Sequence, residues 1–149
     1  MDRDIVIIGG GPAGLSTALH LHQIAPHLSP RILILEKARH PRPKLCAGGL
    51  ILDAELLLRH LGLDVTEIPH ADSEQINFEF RGRGLHIRVP GKHALRVIRR
   101  NEFDHWLAEK ARGRGIEIRE SVSVKNIVPD RDGVTIDTTN GVLRAQIVV

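Results

Sequence analysis

The patterned part of the chain opens with four consecutive β-branched apolar residues, Ile5-Val6-Ile7-Ile8. A run that is apolar at every position fits a strand buried on both faces of a parallel sheet. Glycines and Pro12 follow at once, then a helix that should stop near Ala25, because Pro26 and Pro30 punctuate the next loop. A second uniform run, Ile32-Leu33-Ile34-Leu35, completes a β-α-β unit over residues 4–36. The stretch Arg39 to Pro43 reads as an extended loop, since its two prolines exclude a helix. Asp53 to Leu61 reads as a short amphipathic helix ended by Gly62. The alternating segments "EQINFEF" and "LHIRV" flank Arg81-Gly82-Arg83-Gly84 and predict a hairpin. A third helix is expected from about Glu102 to Arg112, with Asn101 as N-cap, Asp104 in its first turn and Gly113 or Gly115 as its stop. Its stripe of Phe103, Leu107 and Ala111, with Trp106 and Lys110 beside it, reads as core. The short strands "IEIRE", "SVSVKNIV", "VTIDTT" and "VLRAQIVV" follow, separated by the turn pairs Asp132-Gly133 and Asn140-Gly141.

The first apolar stretch has two readings, a membrane segment or a strand, turn and helix around a phosphate. Ile5 to Leu19 carries no charge, but it falls short of the roughly 20 residues needed to cross a bilayer. Its flank, Asp2-Arg3-Asp4, lacks the basic character of a secretory leader. The second reading explains each residue. Gly9, Gly11 and Gly14 fit G-x-G-x-x-G, in which the first glycine permits the tight turn, the second admits a pyrophosphate and the third lets helix pack on strand. Pro12 suits the first helical turn, and the helix start offers free N–H groups and a partial positive charge to an anion. Glu36 ends the second strand, 22 positions after Gly14. A carboxylate there accepts hydrogen bonds from ribose hydroxyls and repels a 2′-phosphate, so the nucleotide at this site should not be NADP.

Composition changes the picture in two places. One cysteine among 149 residues excludes an internal disulfide framework, and with 42% hydrophobic residues the composition suits one compact core in a cytoplasmic protein. The net charge of +3 is unevenly spread, with seven Lys or Arg and no acid from Arg81 to Asn101. Such a tract could meet nucleic acid or a membrane surface, or form a solvated wall beside an anionic cofactor. With no tyrosine and three phenylalanines, a base-stacking surface is not expected, and nucleic acid is not an expected partner. His20, His22, His60, His70, His86, His93 and His105 show no metal-ligand spacing and read as structural or solvated.

The order "DIVIIGGGPAGLSTALHL", Glu36-Lys37, "PRPKLCAGGL", "RRNEFDHWLAEKA" and "GIEI" resembles the FAD-dependent oxidoreductases of the para-hydroxybenzoate hydroxylase type, over essentially the whole chain. Within that group it looks most like the geranylgeranyl reductase branch, where many members show Cys-Gly-Gly; this chain has Cys46-Ala47-Gly48-Gly49 instead. The resemblance implies a Rossmann-like α/β FAD-binding fold of the GR2 type, with an antiparallel β-meander and an inserted β-hairpin. Residues 1–50 and 95–149 would form the nucleotide-binding core, and 51–94 a helix and hairpin insertion belonging to the substrate region. In this family a segment like "AQIVV" runs directly into Gly-Ala-Asp-Gly, so the chain is expected to be an N-terminal portion of a longer enzyme.

The same resemblance assigns roles. Gly9, Gly11, Pro12, Ala13 and Gly14 would cradle the FAD pyrophosphate, and Glu36, with Lys37 next to it, would hold the adenosine ribose. Cys46, Ala47, Gly48 and Gly49 would line the flavin side of the cleft. Arg100 matches an arginine near the phosphates and ribityl chain, a role that suits a permanent, forked cation; a surface arginine at a helix start is its alternative. Val124 matches a residue whose backbone meets the adenine. Cys46 has two readings, a small buried hydrophobe or a catalytic thiol exposed and activated by Arg42, Lys44 and flexible glycines. The intact enzyme would draw on NAD(P)H or another donor. It would reduce double bonds of an isoprenoid lipid, with peripheral membrane contact, or hydroxylate a small organic substrate. A non-catalytic nucleotide-binding fragment is the remaining alternative.

Overall fold

The computed structural model describes residues 3–149. In chain order its elements are β1 (Arg3–Ile8), α1 (Pro12–Ile24), β2 (Ile32–Leu35), β3 (Gly49–Leu50), α2 (Leu52–His60), β4 (His70–Ser73) and β5 (Gln75–Phe80). Then come β6 (Arg83–Arg88), β7 (Leu95–Ile98), α3 (Arg100–Gly113), β8 (Glu117–Arg119), β9 (Val124–Asp130), β10 (Gly133–Thr138) and β11 (Gly141–Val148). They form two compact units, one from the chain up to Arg42 together with Asp104–Val149, the other from Pro43–Phe103.

The first unit is built on a six-stranded sheet of order β8-β2-β1-β11-β10-β9. β8, β2, β1 and β11 run parallel, and β10 and β9 return antiparallel as a meander. This is the Rossmann-like α/β architecture. β2 is buried at all four positions, as its unbroken apolar run requires. Val6, Leu33, Leu35, Val122, Ile136 and Ala145 form one continuous core cluster. α1 ends at Ile24 with Ala25 as C-cap, where the following proline forbids continuation.

The second unit holds a three-stranded antiparallel sheet of order β3-β7-β4 and the separate β5–β6 hairpin. The turn is tighter than the sequence suggested. Arg81 and Gly82 alone are left-handed, at φ 50° and 73°, and Arg83 and Gly84 already belong to β6. Two left-handed central residues match the twist of a two-residue hairpin. Ile76, Phe78 and Phe80 pair with Ile87, Leu85 and Arg83 and therefore share one face; Phe78 is 58% exposed and Phe80 73%.

An ion-pair network around the buried Glu55 and Arg96 links α2, β7 and β4 of this unit. Glu55 of α2 lies 2.6 Å from His93 Nε2 and 3.3 Å from Arg96 Nη1. Arg96 of β7 grips Asp72 of β4 with a fork of 2.7 and 2.8 Å. This bidentate hydrogen bond holds the Asp72 carboxyl below its usual range and raises Arg96.

α3 begins at Arg100, before the expected start, and so Asn101 is not its N-cap. The Arg99 carbonyl accepts the Phe103 N–H at 2.9 Å, which puts the cap position at Arg99. The stripe Phe103, Leu107 and Ala111 is buried, with Trp106 and Ala108. Among the described residues no helix is long and apolar enough to cross a membrane.

Candidate functional site

The carboxyl ends of the parallel strands converge on the glycine loop, where open α/β sheets place their ligands. The Gly9 N–H donates to the Leu35 carbonyl at 2.8 Å, tying the loop to β2, and the Glu36 N–H donates to the Arg119 carbonyl at 2.9 Å, tying the end of β2 to β8. Gly9 is left-handed at φ 111°. A Cβ on Gly14 would overlap the Gly9 carbonyl oxygen, so helix and strand approach here as only glycine allows. Gly11 is the N-cap of α1, with Pro12 in the first turn, and no side chain caps the helix. The first amides of α1 are thus left for an external acceptor.

Glu36 is buried at the end of β2. Its Oε2 accepts the Gly10 N–H at 2.8 Å, its Oε1 accepts the Ala38 N–H at 2.9 Å, and Arg42 Nε stands 3.4 Å from Oε1. Burial pushes the carboxyl up, but the amides of Ala38 and Gly10, with Arg42 and His40 nearby, outweigh it and leave Glu36 below its ordinary value. An ionised carboxylate with lone pairs to spare is what ribose hydroxyls need.

Arg42 and His40 are the residues that sequence reasoning did not place at this loop. Arg42 Nη2 lies 3.5 Å from Asp104 Oδ2 and beside Gly11, at 3.4 Å from where a Cβ would stand. Its Nε is buried without a hydrogen-bond partner among the described residues. A guanidinium with a donor to spare, next to free helix amides, fits a diphosphate. Asp104 is fully buried and faces this arginine; because α3 begins at Arg100 it lies past the first turn, where Glu102 is the acid instead. The signal available in sequence was an arginine six positions after the strand-ending Glu36, but only the return of α3 pairs it with Asp104. The fully buried His40 ring joins the Gly10 carbonyl to Glu120, at 2.9 and 2.8 Å.

The other expected residues are spread more widely. Ala13 is exposed on the first turn of α1, and Lys37 is exposed beyond Glu36. Val124 is half-buried and opens β9 opposite Thr138. In the second unit, Arg100 is half-buried as the first residue of α3. Cys46 is exposed, with the Gly48 N–H donating to its Sγ at 3.4 Å. Ala47 is exposed as well. Gly48, left-handed at φ 79°, packs so closely on Ile98 that a Cβ would overlap the Ile98 carbonyl oxygen. Gly49 begins β3 and pairs with Val97.

A family model for the FAD binding domain matches residues 2–146. The chain is 33% identical over 144 residues to the "Probable electron transfer flavoprotein-ubiquinone oxidoreductase, mitochondrial" of Schizosaccharomyces pombe, covering 91% of this chain and 23% of that protein. It is 30% identical to rifampicin monooxygenase of Streptomyces venezuelae, covering 98% of this chain and 31% of the relative. It is also 30% identical to digeranylgeranylglycerophospholipid reductase 2 of Methanopyrus kandleri, covering 100% of this chain and 37% of the relative. The crystal structure of CmlS, a flavin-dependent halogenase, superposes with a TM-score of 0.82 at 25% identity, covering 99% of this chain and 28% of that one. The chain thus spans about a quarter to a third of the length of these proteins. With its glycine loop, buried strand-end carboxylate and Rossmann-like sheet, it belongs to the FAD binding domain family of the para-hydroxybenzoate hydroxylase type.

Proposed function

We propose that this chain is the adenosine- and diphosphate-holding portion of an FAD-dependent reductase acting on double bonds of an isoprenoid lipid. The observation that carries the nucleotide half is the convergence of Glu36 and Arg42 on the Gly9–Gly14 loop. Glu36 accepts the ribose hydroxyls. The open amides of α1 and the Arg42 guanidinium take the diphosphate, and Arg100 adds a cation toward the ribityl side. Val124 offers its backbone to the adenine. When bound, FAD supplies the hydride chemistry, with NAD(P)H as the electron source. The protein's share is to orient the ring, exclude water and place a proton.

The reductase branch rests on Cys46-Ala47-Gly48-Gly49, supported by the similarity to the Methanopyrus reductase. Saturating a double bond needs a proton on the carbon that does not receive hydride. Cys46 is exposed, and its thiol is our candidate for shaping that delivery or the path of the substrate. In the whole enzyme, Cys46→Ser should leave FAD bound while the rate or pattern of isoprenoid reduction changes. Unaltered reduction in both respects would return the thiol to packing. The 30% identity to a monooxygenase then favours the second reading, hydroxylation of an organic substrate.

A lipid substrate brings the enzyme to a membrane surface. We propose that the β5–β6 hairpin supplies that peripheral contact, with Phe78, Phe80 and Leu85 exposed beside Arg81, Arg83 and Arg88. Co-sedimentation with phosphatidylglycerol vesicles should occur and weaken with salt. Equal recovery with neutral and anionic vesicles removes the contact.

A further inference from the structure

His40 touches the glycine loop from the side, outside the G-x-G-x-x-G pattern. Its side chain is fully buried. Nε2 stands 2.9 Å from the Gly10 carbonyl oxygen, and Nδ1 2.8 Å from Glu120 Oε1, which also accepts the His40 backbone N–H at 3.1 Å. Both ring partners are acceptors. The carbonyl has no proton to give. Burial raises the Glu120 carboxyl, but hydrogen bonds from Arg112 and His40 outweigh it and bring it to about 2, so it is ionised near neutrality.

Gly10 offers Nε2 only a carbonyl, so that ring nitrogen is the donor, and Glu120 holds the other end of the ring. Charged groups surround it. Glu36 lies at the far side of Gly10, paired with Arg42, which also faces Asp104. Arg112 of α3 meets the same Glu120 oxygen at 2.8 Å and holds Glu109 on its outer side at 2.6 Å.

The two contacts grip Gly10 at both ends, its N–H by Glu36 and its carbonyl by His40. In the planar trans peptide, the Gly11 N–H points opposite to the Gly10 carbonyl. Fixing that carbonyl therefore aims the Gly11 N–H, the N-cap amide of α1, away from His40. A Cβ on Gly10 would come within 3.0 Å of both Glu36 Cβ and His40 Cε1, which shows how closely the grip is drawn.

We propose that His40, donating to the Gly10 carbonyl from one ring nitrogen and held by Glu120 at the other, is a positioning residue that aims the nucleotide loop at the FAD diphosphate. The proposal rests on Gly9–Gly14 being the diphosphate loop. Glu120 and Arg112 act through His40 and do not touch the nucleotide.

Two measurements on the chain as it stands test this. The first is 15N NMR of the histidine rings without ligand. His40 Nε2 should carry the proton that bonds the Gly10 carbonyl; a bare Nε2 there overturns the clamp. The second is the affinity for ADP-ribose at one fixed pH, with a thermal melt of each variant beside it. His40→Ala should bind about tenfold more weakly, the scale of one lost hydrogen bond. His40→Gln keeps a donor for Gly10 and should recover part of that loss. Unchanged affinity in His40→Ala, or a loss that His40→Gln does not lessen, overturns the proposal. Wild-type protein that fails to bind ADP-ribose refutes the diphosphate-loop assignment and the aiming role with it, and the ring spectrum still decides the clamp.

Discussion

At the scale of single residues, the site is defined by what glycine omits and what Glu36 accepts. Gly14 has no room for a Cβ against the Gly9 carbonyl, so the third glycine of the motif is a packing requirement and the second keeps the approach to Arg42 open. Glu36 already accepts two backbone N–H groups, and its remaining lone pairs are what a ribose would use. Glu36→Arg should weaken FAD binding in the whole enzyme by about 1–3 kcal/mol, the range of a lost charged hydrogen bond. Titration of the apoprotein with FAD measures it, and unchanged affinity would take Glu36 out of the ribose site. The variant also deprives Gly10 and Ala38 of their acceptor, so a matched thermal melt separates lost binding from a loosened loop.

At the scale of elements, both units combine apolar burial with buried charge. The parallel sheet is joined by apolar runs that bury themselves around one continuous cluster. The second unit buries Leu58, Leu61, Leu63 and Ile98 and adds a charged link from α2 to its sheet. Glu55 is buried and depends on His93 and Arg96, with Arg59 farther off at 3.8 Å. Removing one member of such a network strands a buried charge, which costs more than the network itself contributes. Arg96→Met should therefore destabilise the protein by about 3 kcal/mol, and adding Glu55→Gln should restore part of the loss. Chemical denaturation followed by circular dichroism reads both. A double variant no more stable than Arg96→Met would show that Glu55 is not the stranded charge.

At the scale of the whole molecule, acid is the condition that reaches ties in both units at once. Glu120 and Asp130 are each drawn down to about 2, Glu120 by Arg112 and His40 against its burial, Asp130 chiefly by Arg144. Glu36 and Asp72 are lowered as well. A carboxylate whose folded value lies below its unfolded one adds stability that is complete above about pH 4.5 and lost as pH falls toward about 2. Unfolding free energy should thus drop steeply in that window. The Glu120 share is about 3 kcal/mol at most, so Glu120→Gln should flatten part of the decline. A fall confined to pH above about 5 would instead implicate histidine.

Much of the nucleotide half was legible in the sequence, because its elements are determined locally. Uniform apolar runs specify buried strands, the glycine spacing specifies the turn, Pro26 stops α1 and the Asn140-Gly141 pair turns the meander. The hairpin was legible for the same reason, although its turn contracted to Arg81-Gly82 once strand twist selected left-handed residues. β3, β4 and β7 left little pattern: they are short, and β4, "HADS", has no apolar alternation. Their edges are matched by pairing and by the Glu55–Arg96–Asp72 network, which brings together residues 41 and 24 positions apart. The start of α3 was likewise decided by backbone bonding at Arg99, not by the best capping side chain. His40 and Arg42 sit in a proline-punctuated loop with no periodicity to mark them. Only the fold carries Gly10, Asp104 and Glu120 to that loop, across separations that no local pattern spans.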